Sequence, residues 1–350
     1  MLCQQLGLFS EAVVAIDGSK FKAVNNRDRN FTSAKMQRRM EEIESSINRY
    51  LVELDTADRQ EPVLAQLKKE RPHDKITALK DQMKVLKEIE VQLEATPDKQ
   101  ISLTDPDARS MKTRGTGIVG YNVQTAVDTK NHLIVAHEVT NNGIDRHQLS
   151  SMAKQARTAI GTEALTVIAD RGYFKGEEIL ACHEAGITAN VPKTMTSSAK
   201  AGGRFDRADC IYDAVANEFQ CPAGQRAIWR FSSIEKELLM HRYWSSHCPR
   251  CDIRAKCTPS DYRRVSRWED QVVLDDMQTR LDRAPDSMRV RRQTVEHPFG
   301  TLKSWMGSAH FLCKTLKRVS TEMSLHVLAY NLKRVMRIMG PVALMQMMRA

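Results

Sequence analysis

The sequence predicts an α/β fold: a mixed sheet flanked by helices, carrying a helical-hairpin insertion and a cysteine-containing insertion. Three observations predict it. Two short apolar runs rich in β-branched residues, Ala12-Val-Val-Ala-Ile16 and Leu165-Thr-Val-Ile-Ala169, read as buried strands, and each closes on an acid, Asp17 and Asp170. Between them, Gly120–Val127 and His132–His137 flank a turn at Asp128–Asn131, the pattern of a β-hairpin. Helical segments from about Gln148 to Ile160, and through Glu177, Ile179, Leu180 and Cys182, alternate with these strands and with a last one at Ile187–Val191. Alternation of strand and helix, with one hairpin among them, implies a sheet of mixed strand direction.

In chain order, residues 1–34 hold the first strand. A short amphipathic piece precedes it, so the chain is expected to lack an N-terminal domain. Asp17-Gly18 is a common turn pair, and taken alone Asp17 reads as a turn residue. Lys20 and Lys22 continue the strand, and Asn25-Asn26 breaks it. Residues 35–98 change character. Met36, Met40, Ile43, Ile47, Leu51 and Leu54 step by three and four. Ile76, Leu79, Met83, Leu86, Ile89 and Leu93 repeat the pattern after breaks expected at Pro62 and Pro72. This predicts a coiled-coil-like hairpin for protein contact or spacing, with its methionines as core. Residues 99–193 contain a polar connector and then the heart of the α/β domain. Asp145 is placed to cap the helix that follows it. Asp128 and Asp145 are rival acids, but neither follows a buried strand as Asp170 does.

Residues 194–285 read as irregular, rich in Ser, Gly, Arg and Cys. Cys221-Pro-Ala-Gly and Cys248-Pro-Arg-Cys251, with Cys257 six residues on, place four thiols in one insertion. The CxxC sets two thiolates on one turn, and Cys257 and Cys221 complete a tetrahedral structural Zn²⁺ set; His241 and His247 are substitutes. The competing reading is reduced, unligated thiols. Cys3, Cys182, Cys210 and Cys313 read as structural.

Residues 286–350 carry the densest chemistry. In a helix, Arg292, Glu296 and Lys303 fall within a narrow sector, so one carboxylate is flanked by two cations. Such a carboxylate can ligate a hard divalent ion while the cations hold phosphate. The bland alternative is a solvated face with an Arg–Glu pair. Pro298 implies that the helix starts near Thr294 or kinks there. Trp305 can stack on a base, though a half-buried packing role is the commoner use of such a residue. The last helix, Val319 to Ile338, is expected to turn Val327, Leu328, Tyr330, Leu332 and Val335 inward.

The bulk numbers narrow the partners. The 350 residues carry a net charge of +10, and +9 of it lies between Arg289 and Ala350. A localised basic excess fits a polyanion. No apolar run is long enough to span a bilayer. Eight scattered cysteines argue against a disulfide scaffold and for a reducing compartment.

Several of these pieces also carry a resemblance: Ala15-Ile-Asp17-Gly-Ser-Lys20, Gly120-Tyr-Asn-Val-Gln124, Ala169-Asp170-Arg-Gly-Tyr173, Val295-Glu296-His-Pro-Phe-Gly300, Glu322 and Leu328-Ala-Tyr-Asn-Leu-Lys-Arg334. Through them the chain resembles the DDE transposases of bacterial insertion sequences, over nearly its whole length. The resemblance implies a ribonuclease-H-like catalytic domain and a triad of Asp17, Asp170 and Glu296 holding two Mg²⁺ or Mn²⁺ ions. It implies cleavage of double-stranded DNA at transposon ends, and transfer of the 3′-hydroxyl to target DNA. Arg292, Glu296 and Lys303 match the spacing of that family's tyrosine–arginine–glutamate–lysine signature, while Arg289 stands where the tyrosine belongs. Lys20, Arg171, Arg292, Lys303 and Trp305 are the expected DNA contacts. A homodimer that pairs two ends, in the bacterial cytoplasm at the nucleoid, is the expected setting, with no membrane partner. Relatives carry a DNA-binding region before the first catalytic strand. The alternative expectation is therefore an N-terminally truncated remnant that binds DNA or subunits without catalysis.

Overall fold

The computed structural model describes the chain except residues 1, 10–11, 27–28, 59–61, 114, 116, 195–196 and 348–350, and except the side chains of 2, 57–71, 343 and 347. Arg114 of the polar connector and the link between the hairpin helices therefore lie outside the described residues.

In chain order the strands are β1 (Val13–Lys22), β2 (Asn30–Thr32), β3 (Gln100–Ser102), β4 (Arg109–Met111), β5 (Ile118–Asp128), β6 (Ile134–Thr140), β7 (Leu165–Ala169), β8 (Ile187–Asn190), β9 (Ile211–Asp213), β10 (Glu218–Gln220), β11 (Arg226–Glu235), β12 (Leu238–Trp244) and β13 (Val265–Trp268). The helices are α1 (Leu2–Gln5), α2 (Ser33–Asp58), α3 (Pro62–Ala95), α4 (Leu149–Ile160), α5 (Gly176–Glu184), α6 (Ser198–Ala201), α7 (Gln271–Arg283), α8 (Ser287–Gly300), α9 (Leu316–Met339) and α10 (Pro341–Met347). The fold is mixed α/β. One sheet has the order β4-β5-β1-β7-β8, with β6 paired to β5. The chain divides into two compact units, neither a single stretch of sequence.

The first unit comprises Met1–Asp17, Thr125–Ala136 and Ile144–Glu296. Val14, Ala15 and Ile16 of β1 are fully buried, as β-branched and small residues between layers must be. β1 runs parallel to β7, with Ile16 opposite Ala169, and β7 runs parallel to β8. Parallel neighbours need a crossover, and α5 supplies the one between β7 and β8. Met152, Ala156, Ile179, Cys182 and Met277 of the helices pack with the strand residues in one core. Burial of each large aliphatic side chain contributes about 1.5–3 kcal/mol. Asp145 does not cap α4: the Glu178 carboxylate accepts the Ser150 N–H there at 2.9 Å, and Asp145 opens a separate short turn, Asp145–His147. Asp128 accepts the Asn131 N–H at 2.5 Å and so closes the β-hairpin turn.

Residues 194–285, expected to be irregular, contain a five-stranded antiparallel sheet, β13-β12-β11-β10-β9, followed by α7. Its core is small: Cys210, Phe219, Ala227, Tyr243 and Val265.

The second unit comprises Gly18–Gln124, His137–Gly143 and His297–Ala350. α2 and α3 pack on each other through Met36, Ile43, Leu86, Ile89 and Leu93. Pro62 opens α3 rather than breaking it, because the first helical position needs no N–H partner. Pro72 lies inside the helix, at the loss of one backbone hydrogen bond. Gly120 of β5 runs so close to β1 that a Cβ there would stand 1.9 Å from the Phe21 carbonyl oxygen. Asp105, fully buried, accepts the Tyr121 hydroxyl and the Thr315 N–H, and Asp107 accepts the Leu316 N–H, so both acids pin the start of α9. Glu322 accepts the N–H groups of Leu312 and Cys313, a structural use of that acid. On α9, Val327, Tyr330 and Val335 are buried as expected, but Leu328 and Leu332 are exposed. No helix among the described residues is long and apolar enough to cross a membrane.

Candidate active site

Asp17 is not a turn residue. β1 continues through it to Lys22, while β7 ends one residue before Asp170. Because Ile16 and Ala169 are in register, the two aspartates occupy the next equivalent positions on neighbouring parallel strands. Neighbouring strands lie about 4.8 Å apart, so the two carboxylates are brought together by strand pairing alone.

Asp170 is held by its own turn. Its Oδ1 accepts the Gly172 N–H at 2.8 Å and caps the short helix Arg171–Tyr173. A Cβ at Gly172 would stand 2.9 Å from that oxygen, so the turn leaves room for no side chain unless the carboxylate moves. Tyr173 is buried within electrostatic reach of the pair. Burial, then the charges of Asp145, Asp17 and Asp170, push its phenol well above the ordinary value, so it stays protonated. Asp145 thus belongs to the electrostatic surroundings of the site, a role its sequence position did not suggest.

The cation at the pair is Arg291, which sequence reasoning passed over in favour of Arg292. Its Nη2 lies 2.5 Å from Asp17 Oδ1 and 3.7 Å from Asp170 Oδ2, and its side chain is only 13% exposed. Its Nε and Nη2 are buried without a hydrogen-bond partner. Charge, not aligned N–H donation, therefore holds it. The helical repeat explains the choice. α8 begins at Ser287, seven residues before the start expected at Thr294. Thr294, Val295 and Phe299 are buried, and Arg291 precedes them at three, four and eight residues. That spacing marks one helix face, and it was the available signal for Arg291.

Glu296 lies on the other side. At about 100° per residue, it sits roughly 140° around α8 from Arg291, and about 40° from Arg292. Glu296 and Arg292 are both exposed. The structure thus unites Asp17 and Asp170 but does not add Glu296 to them. Among the described residues, no three His, Cys, Asp or Glu side chains sit together ready to hold an ion. The aspartate pair nevertheless fits a divalent cation, because both carboxylates already converge on one positive group and present oxygen donors.

Lys303 leaves the sector expected for it, because α8 gives way after Gly300 to a π-helical turn, Thr301–Trp305. Its ammonium donates to Ser19 Oγ at 2.6 Å and to the Lys20 carbonyl at 2.8 Å, and lies 4.4 Å from the Phe21 ring centroid. Those acceptors follow Asp17 by two and three residues, so Lys303 braces the second half of β1. Lys20 is half-buried, and Arg171, beside Asp170, is exposed. Trp305 is 84% exposed, against the half-buried packing that is commoner for this residue type.

The four cysteines of the insertion, Cys221, Cys248, Cys251 and Cys257, line one cavity; His241 and His247 do not. His241 is instead 2.7 Å from the Ser232 hydroxyl.

Residues 92–332 match the family model described as the transposase DDE domain. No curated protein matches the chain. One solved structure, a cryo-EM structure of the piggyBac transposase synaptic complex with hairpin DNA, is similar at 9% identity with a TM-score of 0.28. The chain covers 42% of that protein, and the alignment takes in 65% of this chain. That likeness is too slight to bear on the fold.

Proposed function

Since the chain belongs to the transposase DDE domain family, we propose that it is a transposase with a ribonuclease-H-like catalytic domain. It would cut DNA at the ends of a bacterial insertion sequence and join the freed 3′-hydroxyl to target DNA. The observation that carries this reading is the in-register pair Asp17 and Asp170 converging on one cation. Asp17, Asp170 and Glu296 would hold two Mg²⁺ or Mn²⁺ ions. Such ions would supply stabilisation of the entering and leaving oxygens of phosphoryl displacement.

The chain's own residues do the rest. Gly172 and the turn it allows keep one Asp170 oxygen fixed. Tyr173 stays protonated within reach of the pair. Arg291 balances the charge of the acid pair, and Glu296, on the exposed face of α8, would be the third ligand. Arg171 and Arg292, exposed beside Asp170 and Glu296, take DNA phosphates. Lys20 serves the same backbone, Lys303 keeps β1 in place, and Trp305 offers an exposed face to an unstacked base. The basic C-terminal segment adds sequence-independent affinity for duplex DNA. Leu325, Leu328, Leu332 and Met336 are exposed at helical spacing on α9 and supply an apolar seam for the homodimer that would pair two ends. Work on DNA in the bacterial cytoplasm, at the nucleoid, follows from this reading.

One observation favours a second reading. Arg291 occupies the acid pair while Glu296 faces elsewhere, which suits a non-catalytic protein that binds DNA or subunits. Nicking of supercoiled DNA with Mg²⁺ or Mn²⁺ separates the two readings. Strand transfer from pre-cut ends separates a transposase from a plain nuclease. Nicking that persists unchanged in Asp170→Ala would remove the acid pair from the chemistry.

A further inference from the structure

The cysteine cavity carries a property that DNA cleavage does not use. Cys221, Cys248, Cys251 and Cys257 line a cavity of about 30 Å³. That is room for one ion or for two to three waters, since a water needs about 10–15 Å³. Each cysteine sits on a tight turn. The Cys251 N–H donates to the Cys248 carbonyl, and the Gly224 N–H donates to the Cys221 carbonyl, with Gly224 in the left-handed region at φ +73°. The Cys257 N–H donates to the Arg254 carbonyl. All four are half-buried free thiols, and Cys257 lies within electrostatic reach of the other three.

A second, independent feature points to a ligand. Arg263 also lines the cavity, and its Nε is buried with no hydrogen-bond partner. A guanidinium nitrogen desolvated without an acceptor is costly, and nothing anionic in the cavity compensates it while the cysteines remain thiols. Four thiolates around Zn²⁺ carry a net charge of −2 and would supply that compensation.

We infer that Cys221, Cys248, Cys251 and Cys257 form a tetrahedral structural Zn²⁺ site whose excess negative charge is balanced by Arg263. On binding, four S–H bonds lose their protons to solvent, four Zn–S bonds form, and no electron is transferred. The thiols are not preset at ligating positions. Each cysteine has three staggered χ1 positions, and the site requires rotation among them on turns that are already in place. The site ties the β10–β11 turn to the two turns after β12, and so staples a subdomain whose own apolar core is small.

Metal content of the full-length chain tests this, together with Co²⁺ titration of the protein after chelator treatment. The expected result is one zinc per chain and a Co²⁺ spectrum with the sulfur-to-metal charge transfer of four thiolates. Cys248→Ser/Cys251→Ser should lose both, while Cys3→Ser/Cys313→Ser keeps both. Arg263→Gln should weaken Co²⁺ binding about tenfold with the spectrum unchanged, about 1.4 kcal/mol. Because the double variant can fail through misfolding, the wild-type titration is decisive. A chelator-treated chain that keeps its circular dichroism and takes up no Co²⁺ overturns the site. So does zinc lost on simple washing, an adventitious ion only, or recovery of two disulfides among the four cysteines. An Arg263→Gln variant with wild-type affinity overturns the balancing role.

Discussion

The aspartate pair and the cysteine cavity are built alike and differ in one respect. Each sets a half-buried arginine against potential metal ligands, Arg291 at Asp17 and Asp170, and Arg263 among four cysteines. Each arginine has a buried nitrogen without a hydrogen-bond partner. At the pair, Arg291 lies against both carboxylates and would compete with an ion bound there. In the cavity the ligands are cysteines, which bind a metal as thiolates and release protons on binding. On the proposed readings, Arg263 would balance a bound metal and Arg291 would occupy the place of one. Removing each arginine should then have opposite effects: metal binds more tightly without Arg291 and less tightly without Arg263.

The largest effect expected is on the acids themselves. Asp17→Asn or Asp170→Asn should lower divalent-dependent nicking at least a hundredfold, about 2.7 kcal/mol of barrier, with the melting temperature little changed. Next is Arg291→Gln. Without its cation the pair repels itself, so the chain should lose about 1–3 kcal/mol of stability in chelator, and Mg²⁺ should restore more of it than in wild type. Calorimetric titration should show Mn²⁺ binding about tenfold tighter. Equal or weaker binding would mean that Arg291 helps to build the metal site instead of occupying it.

Gly172→Ala should cost about tenfold in nicking, because the new methyl displaces the Asp170 oxygen while the fold survives. Trp305→Ala should weaken binding to DNA with unpaired ends by about 1–3 kcal/mol and leave fully paired DNA nearly unaffected. The smallest effect is Arg292→Ala, which should flatten the salt dependence of DNA affinity by about one unit of slope. A salt response that is flat even in wild type would contradict phosphate-led binding.

Legibility in the sequence followed physical patterning. Asp17 and Asp170 could be read because each follows a short run of buried, β-branched residues, and a parallel register then forces them together. Arg291 was hidden in the run Arg289-Val-Arg-Arg292, where only the helix phase separates the inward cation from the outward one. Thr294, Val295 and Phe299 set that phase, whereas the Arg292–Glu296 spacing marks the exposed face. The sheet of β9 to β13 escaped notice because its longest strand lacks clean alternation. Ile228, Trp229, Phe231 and Ile234 of β11 are all exposed. α9 misled in the reverse sense, since its apolar residues wrap more of the helix than its packing uses. Lys303 could not be placed at all by counting, because a π turn breaks the 3.6-residue repeat just before it.

The most direct measurement is the initial rate of Mn²⁺-dependent nicking of supercoiled DNA by wild type, Asp17→Asn and Glu296→Gln, with folding checked by circular dichroism. Cleavage by wild type and its loss in both variants is the predicted result. Nicking at the wild-type rate by either variant, or none by wild-type protein that binds DNA, would contradict a catalytic role for Asp17, Asp170 and Glu296.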